Sequence, residues 1–358
     1  MSSKKRIIYL FGSGATHATI NAIDLTKNLL TSDIRDKIRE KEFSIKDKEI
    51  PTDVWNELMD AKVDIEHLIS ILETNYHYHS AQIIRKQYHE AILNLSKEVI
   101  ANINKPKFKP NLYSILFDLH KVKKLKEQVT SIFTLNYEDL LEKSLKAHLD
   151  IEADYLIASK KSSRLSTKIP VLKLHGSFNW LNIRPILVGN AHKIKESEAL
   201  WIPPGVDKKR ENYPFNFLWG RAFSFLTECD ILRVIGCSLS RNDWGLIPMI
   251  YTAMRLTKVK PSFEIEIIDF FDKGKKIKES YPYLNIKNII EIPEFEKYIR
   301  DYFTIDESLP IPSYAKDYIS SENTKLNIFE LWLKSKSFEL EQAGIDFSKR
   351  KYISSFAK

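Results

Sequence analysis

Arg6-Ile7-Ile8-Tyr9-Leu10-Phe11-Gly12-Ser13-Gly14-Ala15-Thr16 is the stretch on which the reading of the fold turns. Its first six residues are mostly β-branched, aromatic or leucine, which reads as a buried strand. Gly12-Ser13-Gly14 interrupts that strand, and the pattern predicts a helix from about Thr16 to Leu30, with Ile20, Ile23 and Leu30 among its apolar positions. Strand, glycine turn and helix in this order open a nucleotide-binding βα unit. Glycine lets a backbone approach a phosphate closely, and a helix N-terminus presents unpaired N–H groups at the positive end of its dipole. Thr16 also has a plainer reading, as a helix cap.

Further apolar runs repeat the pattern downstream. Val129 to Leu135 leads into Asn136 and a predicted helix from about Glu138 to His148. Ile169 to Leu174 is bounded by His175-Gly176. Ile231 to Ile235 ends at Gly236-Cys237-Ser238-Leu239 and is followed by a helical pattern from about Asp243 to Leu256, and Phe263 to Ile268 ends at Asp269. Each run resembles a buried parallel strand that stops at polar residues or glycine. In open α/β sheets, ligands bind at the carboxyl ends of such strands. Between the first and second strand signals, residues 31–127 carry helical periodicity, with Val54, Leu58, Ile65, Leu68, Ile69 and Leu72 forming one of its stripes. The expected organisation is an α/β Rossmann-like domain over residues 1–304, with a helical insertion at about 31–127. A helical tail at 305–358, rich in large apolar residues from Leu326 to Leu333, is expected to dock on its own core or on a neighbouring subunit.

Composition narrows the class further. The chain has 358 residues, 43% hydrophobic and 28% charged, which is globular rather than disordered composition. Two cysteines, Cys229 and Cys237, are too few for a disulfide framework or a four-thiolate metal site. No apolar run approaches the roughly 20 residues of a membrane span, and Ile7 to Phe11 is too short for a signal peptide. A cytoplasmic protein with no membrane association is expected. The net charge is +8, carried in short basic clusters such as Lys121 to Lys126 and Lys273 to Lys278. Acidic residues lie between the clusters, which favours solvated faces over a nucleic-acid footprint; nucleic acid remains a weakly supported partner.

The candidate residues each have a functional and a structural reading. Thr134-Leu135-Asn136-Tyr137-Glu138-Asp139 closes a strand. Asn136 can donate and accept at once, which suits a ribose hydroxyl or a water, yet it also suits capping the next helix, with Asp139 in its first turn. Histidine as a residue type titrates near neutrality, so His175 is a candidate general base, but a lone histidine at a strand end is often structural. Ser238 and the backbone around Gly236 suit a second part of a nucleotide, and Asp269 suits a ribose diol. The histidines suggest no metal cluster. Only ten glycines occur, under half the usual share of about 7%, and Gly12, Gly14, Gly176 and Gly236 all fall in these turns.

The ordered set resembles the sirtuins, and within them the prokaryotic sirtuin-like branch of antiphage defence systems. Sirtuins carry a Gly-Ala-Gly-Ile-Ser turn, a Thr-Gln-Asn-Ile-Asp segment, a His-Gly pair and a Gly-Thr-Ser-Leu turn. Gly12 to Thr16, Thr134 to Glu138, His175-Gly176 and Gly236 to Leu239 are similar to these in the same order. The defence branch often reads Thr-Leu-Asn-Tyr-Asp at the second motif, where this chain has Glu138, and Asp64-Ile65-Glu66 is similar to another of its motifs. The resemblance covers roughly residues 5 to 300. The chain departs from deacylating sirtuins in having no cysteine between residues 176 and 228, where those enzymes insert a four-cysteine zinc ribbon, and in lacking their Pro-Asp-Phe-Arg. A sirtuin fold without the ribbon is therefore expected, and protein deacylation is not.

The resemblance implies an NAD+ hydrolase with NAD as substrate and no metal. It implies Asn136 positioning ribose and water, and His175 as the base. Gly12, Ser13, Gly14, Ala15 and Thr16 would hold the pyrophosphate. Thr134, Glu138 and Asp139 would stand near the nicotinamide, and Gly236, Ser238, Leu239 and Asp269 on the adenosine side. It further implies an NAD-depleting defence effector, restrained as a homo-oligomer or by a separately encoded partner such as a HerA-like ATPase or a short Argonaute. A non-catalytic NAD-sensing module and a DNA-acting subunit of an ATPase are the competing classes.

Overall fold

Lys5–Phe11 forms β1, and Ile7 to Phe11 are all shielded from solvent. Burial of both faces is what a continuous apolar run requires of a central parallel strand. The structure, a computed structural model, describes residues 4–21, 56–57, 63, 65–75, 77–103, 113, 127–157, 167–205, 210–240, 243, 245–257, 262–269 and 273–290. Within these, β1 is followed by α1 (Ser13–Asn21), α2 (Ile65–Thr74), α3 (Tyr78–Ile103), β2 (Glu127–Thr134), α4 (Leu140–Leu149), β3 (Ile151–Asp154) and β4 (Thr167–Lys173). Then come β5 (Gly176–Leu181), β6 (Leu187–Val188), β7 (Ala199–Trp201), α5 (Phe215–Leu226), β8 (Ile231–Ile235), α6 (Leu246–Leu256), β9 (Glu264–Ile268), α7 (Lys273–Ser280) and β10 (Ile286–Ile290).

The main sheet has seven strands in the order β10-β9-β8-β1-β2-β4-β3, and every neighbouring pair is parallel. This is an α/β, Rossmann-like sheet. Side-chain alternation divides it into two cores. Ile7, Tyr9 and Phe11 face a core built with Ile65, Leu68 and Ile69 of α2, Ile84 of α3 and Leu140 of α4. Ile8 and Leu10 face the opposite core with Leu218 of α5, Ile250 of α6 and Ile277 of α7. Helices thus cover both faces, and each fully buried Ile or Leu contributes about 1.5–3 kcal/mol. Strand order reverses at β1, whose neighbours are β2 on one side and β8 on the other. A crevice at the carboxyl ends of the strands opens where strand order reverses in this way.

One buried charge interrupts the apolar pattern. Arg233 in β8 is 1% exposed; its Nε donates to Glu266 Oε2 at 2.6 Å, and its NH1 donates to Tyr9 OH at 2.7 Å. Glu127 takes two further bonds from the guanidinium. A buried guanidinium is tolerated when its donors are satisfied in this way.

Helix and strand bounds differ modestly from the sequence expectation. The helix predicted from Asp243 starts at Leu246, and the one predicted from Glu138 starts at Leu140. Of the expected helical insertion, the structure describes α2, α3 and a few further positions. The rest of it, Asp64 and the tail at 305–358 lie outside the described residues. The sequence reading did not anticipate β3, β10 or the small antiparallel sheet ordered β6-β5-β7. The first of its strands, β5, begins immediately after His175.

Candidate functional site

The strand ends lie level with one another. Phe11 pairs with both Thr134 and Ile235, Thr134 with Lys173, and Ile235 with Ile268. The backbone ladder then continues one step past the strands. Gly12 N–H donates to Ile235 O at 3.1 Å, Leu135 N–H to Phe11 O at 3.1 Å, Leu174 N–H to Thr134 O at 3.0 Å and Gly236 N–H to Ile268 O at 3.0 Å. Motifs scattered through the chain are thereby brought onto one edge. Above that edge lies a cleft of about 220 Å³, lined among others by Gly12, Thr16, Asn136, Glu138, His175 and Ser238.

The two glycine turns fit into each other. Gly14 N–H donates to Gly236 O at 2.9 Å. Gly236 has φ +57°, and a Cβ placed on it would lie 2.2 Å from the Ala15 nitrogen, so no larger residue fits. Ala15 N–H closes onto Gly12 O at 3.1 Å. The donors of Gly14 and Ala15 are thus spent on the protein itself, and Gly14 and Ala15 stand behind the cleft rather than in it. Gly12, Ser13 and Thr16 line it. Leu239, buried at 1% exposure with φ +48°, is a non-glycine residue in a left-handed conformation. Such backbone costs about 1–3 kcal/mol and concentrates at functional turns.

Asn136 does not cap α4. That position belongs to Asp139, which makes no side-chain cap bond. Asn136 Nδ2 instead donates to Gly12 O at 3.0 Å and Thr16 Oγ1 at 2.8 Å, while its backbone N–H donates to Thr134 Oγ1 at 3.1 Å. The donor end of the amide is thus committed to the protein. Thr16 is likewise no cap: it sits inside α1, its hydroxyl donates to Glu138 Oε1 at 2.6 Å, and it lies 2.9 Å from Tyr113 OH. Burial raises the Glu138 carboxyl above its ordinary pKa, against the smaller opposing pull of Lys173 and the Thr16 hydroxyl. Burial also pushes the phenols of Tyr113, Tyr88 and Tyr137 up, so they stay neutral.

His175 is 3% exposed. Its ring lies 6.2 Å from that of Tyr137, centroid to centroid. Its Nε2 stands 3.2 Å from Asp243 Oδ1, although the approach lacks hydrogen-bond alignment and leaves Nε2 without a hydrogen-bond partner among the described residues. Asp243 thus places a carboxylate beside the imidazole. Gly176, at φ +77°, makes the turn from His175 into β5, and a side chain there would strike Leu200 O at 2.4 Å.

Several of the expected residues fall outside the cleft. Thr134 lies beneath it, holding Asn136. Asp139, buried at the N-terminus of α4, pairs with Lys143 at 3.0 Å, and Leu239 points into the apolar core. Asp269 is buried at the end of β9 and is not among the lining residues. Conversely, Asp243, Glu66, Tyr88 and Tyr137 line the cleft without having been singled out as site residues. Glu66 was visible only through the Asp-Ile-Glu resemblance. Lys173 was hidden within an apolar run; it is 1% exposed, and its Nζ donates to Glu138 O at 2.6 Å and Glu142 Oε1 at 3.0 Å. Among the described residues no group of three or more His, Cys, Asp or Glu could hold a metal ion, and no helix is long and apolar enough to cross a membrane.

Fold and site together define a doubly wound parallel α/β protein with a polar cleft at its switch point. No family model matches the chain, and no curated protein matches it. Among solved structures it is similar to several Sir2 proteins. One, described under the mechanism and regulation of Sir2 enzymes, is 17% identical, covering 80% of this chain and 87% of that chain with a TM-score of 0.35. A Sir2 protein bound to a propionylated peptide is 14% identical, covering 85% and 95% with a TM-score of 0.39. A Sir2 structure with a p53 peptide and NAD+ is 13% identical over the same shares, with a TM-score of 0.38. The parallel α/β class rests on the chain's own strand order rather than on these likenesses.

Proposed function

We propose that the chain hydrolyses NAD+ at the bond between nicotinamide and ribose, giving nicotinamide and ADP-ribose. The observation that carries this reading is the convergence of Asn136, Glu138 and His175 with the glycine turns at Gly12 and Gly236 around one cleft. The ordered sirtuin-like motifs supply the substrate class. Cleavage breaks the C1′–N bond, the electron pair leaves with neutral nicotinamide, and C1′ passes through an oxocarbenium-like state that water captures. Asn136 Oδ1 orients the ribose or that water. His175 takes the proton, and Asp243 stabilises the resulting imidazolium. Glu138, held by Thr16, offers its carboxyl to the nicotinamide end. Gly12, Ser13 and Thr16 face the pyrophosphate, and Gly236 and Ser238 face the adenosine side, with Asp269 beyond them.

The same motifs support an NAD-depleting role in antiphage defence by abortive infection, in the cytoplasm. A restrained resting state suits such an effector, held as a homo-oligomer or by a separately encoded partner such as a HerA-like ATPase or a short Argonaute. On this reading residues 1–304 are the catalytic unit and residues 305–358 a docking or oligomerisation tail. The experiment is incubation of the full chain with NAD+, with and without the product of a neighbouring gene, reading nicotinamide by chromatography. Asn136→Ala and His175→Ala are expected to lower release by at least about a hundred-fold while leaving the circular dichroism spectrum unchanged. Wild-type rates in both variants would sink the assignment.

A further inference from the structure

We propose that a second cavity, walled by β7, is an effector site for a small ligand that joins a planar aromatic ring to an anionic group, with a mononucleotide as the fitting class. The cavity measures about 870 Å³, within the roughly 300–1,000 Å³ of small-molecule pockets. Its lining is built the way such pockets are, with an apolar floor and a polar rim. Trp201 and Phe215 form a floor that is 8% and 5% exposed, while Tyr78 and Tyr213 stand on the rim at 55% and 47%. Exposed aromatic faces beside a buried indole suit a flat heteroaromatic ring.

Arg85 and Arg184 line the same cavity and account for the anionic group. Arg85 is paired with Glu73 through one terminal nitrogen. Its partner Glu73 lines the cavity as well. An arginine guanidinium at such a wall takes a phosphate or carboxylate oxygen in a charge-assisted bond. Arg184, exposed on the rim, adds a second cation.

The cavity reaches the strand-end cleft through one wall. Ile202, on its lining, donates its N–H to His175 O at 2.8 Å and accepts from Tyr137 OH at 2.9 Å. Trp201 meets the Tyr137 ring edge-on at 5.1 Å. Helix α2 spans both spaces, with Glu66 on the cleft and Ser70 and Glu73 on the cavity, and Ser70 Oγ donates to Glu66 O at 2.6 Å. A ligand that orders Trp201 and Ile202 therefore sets the supports of His175 and Tyr137. The binding claim stands alone; only this coupling rests on the NAD+ reading.

The test titrates the full chain calorimetrically with adenosine 5′-monophosphate, adenosine and inorganic phosphate. The nucleotide is expected to bind, with adenosine and phosphate each at least about ten-fold weaker. Arg184→Glu and Tyr78→Ala alter exposed side chains outside the strand-end cleft, and each is expected to weaken the nucleotide by at least about ten-fold with the fold intact. Because the strand-end cleft could also take a nucleotide, the variants carry the decision. No binding by the wild type, or binding that neither variant weakens, overturns the proposal. In a second arm the nucleotide changes the rate of nicotinamide release in the wild type and not in Arg184→Glu. A chain that releases no nicotinamide refutes the NAD+ reading alone, and the titration still decides the pocket.

Discussion

Glu138 holds a carboxyl group that is 5% exposed, takes a hydrogen bond from Thr16 and lies close to Lys173. Burial raises its folded pKa above the ordinary 4.5, so the folded state binds the proton more tightly than the unfolded chain does. The stability this proton contributes is fully present below the ordinary value and is lost as pH rises through the folded value. Glu138→Gln keeps an oxygen to accept from Thr16 and removes the titration. The variant is expected to gain stability relative to the parent as pH climbs above 4.5, read from urea midpoints between pH 4 and pH 8; parallel curves would refute the assignment. At this scale the sequence was legible where a residue's neighbours in the chain mark it. Asn136 and His175 sit directly after apolar runs, and the fold delivers both to the cleft. Asn136 as helix cap was the simpler local reading, and it loses because Gly12 and Thr16, more than a hundred residues earlier, compete for its amide. Asp243 and Lys173 had no mark as site residues: one opens a predicted helical pattern, the other lies in an apolar strand, and their partners meet them only in the folded chain.

Between elements, the decisive contact is the fit of the turn after β1 into the turn after β8. Gly236→Ala would force an L side chain into a left-handed backbone, at about 1–3 kcal/mol. The new Cβ would also stand 2.2 Å from the Ala15 nitrogen, so the turns must separate. The expected result is a loss of at least about 3 kcal/mol in denaturant unfolding, with Gly220→Ala, which meets nothing within 4 Å, close to neutral or slightly stabilising as the control. Equal stability of the two variants would show that the turns are not packed as described. The five central parallel strands were readable because strands buried on both faces become uninterrupted apolar runs. The edges were not. Ile151-Glu152-Ala153-Asp154 and Ile286-Lys287-Asn288-Ile289-Ile290 mix charge with short apolar content, as edge strands do. The two-residue β6 and three-residue β7 are too short to establish a period.

Across the whole molecule, the cleft at the switch point and the +8 charge lead to different partners, and the built site is at the cleft. The basic clusters are separated by acidic residues, and the buried cation Arg233 is consumed by Glu127, Glu266 and Tyr9 inside the sheet, so part of the formal charge never reaches the surface field. An effector that removes NAD+ without restraint would deplete the cell that makes it. On the proposed reading the activity of each chain therefore depends on assembly or a partner rather than on the catalytic groups alone. The chain is expected to change its nicotinamide release per protomer as it is diluted through its own dissociation, or on addition of its partner, by at least about ten-fold, which corresponds to roughly 1.4 kcal/mol of coupling. Sedimentation velocity run at the concentrations of the assay supplies the oligomeric state, and Asn136→Ala supplies the background. An isolated monomer that hydrolyses NAD+ at the full per-chain rate, unaltered by dilution or by partner, would leave the catalytic assignment standing and remove the restraint.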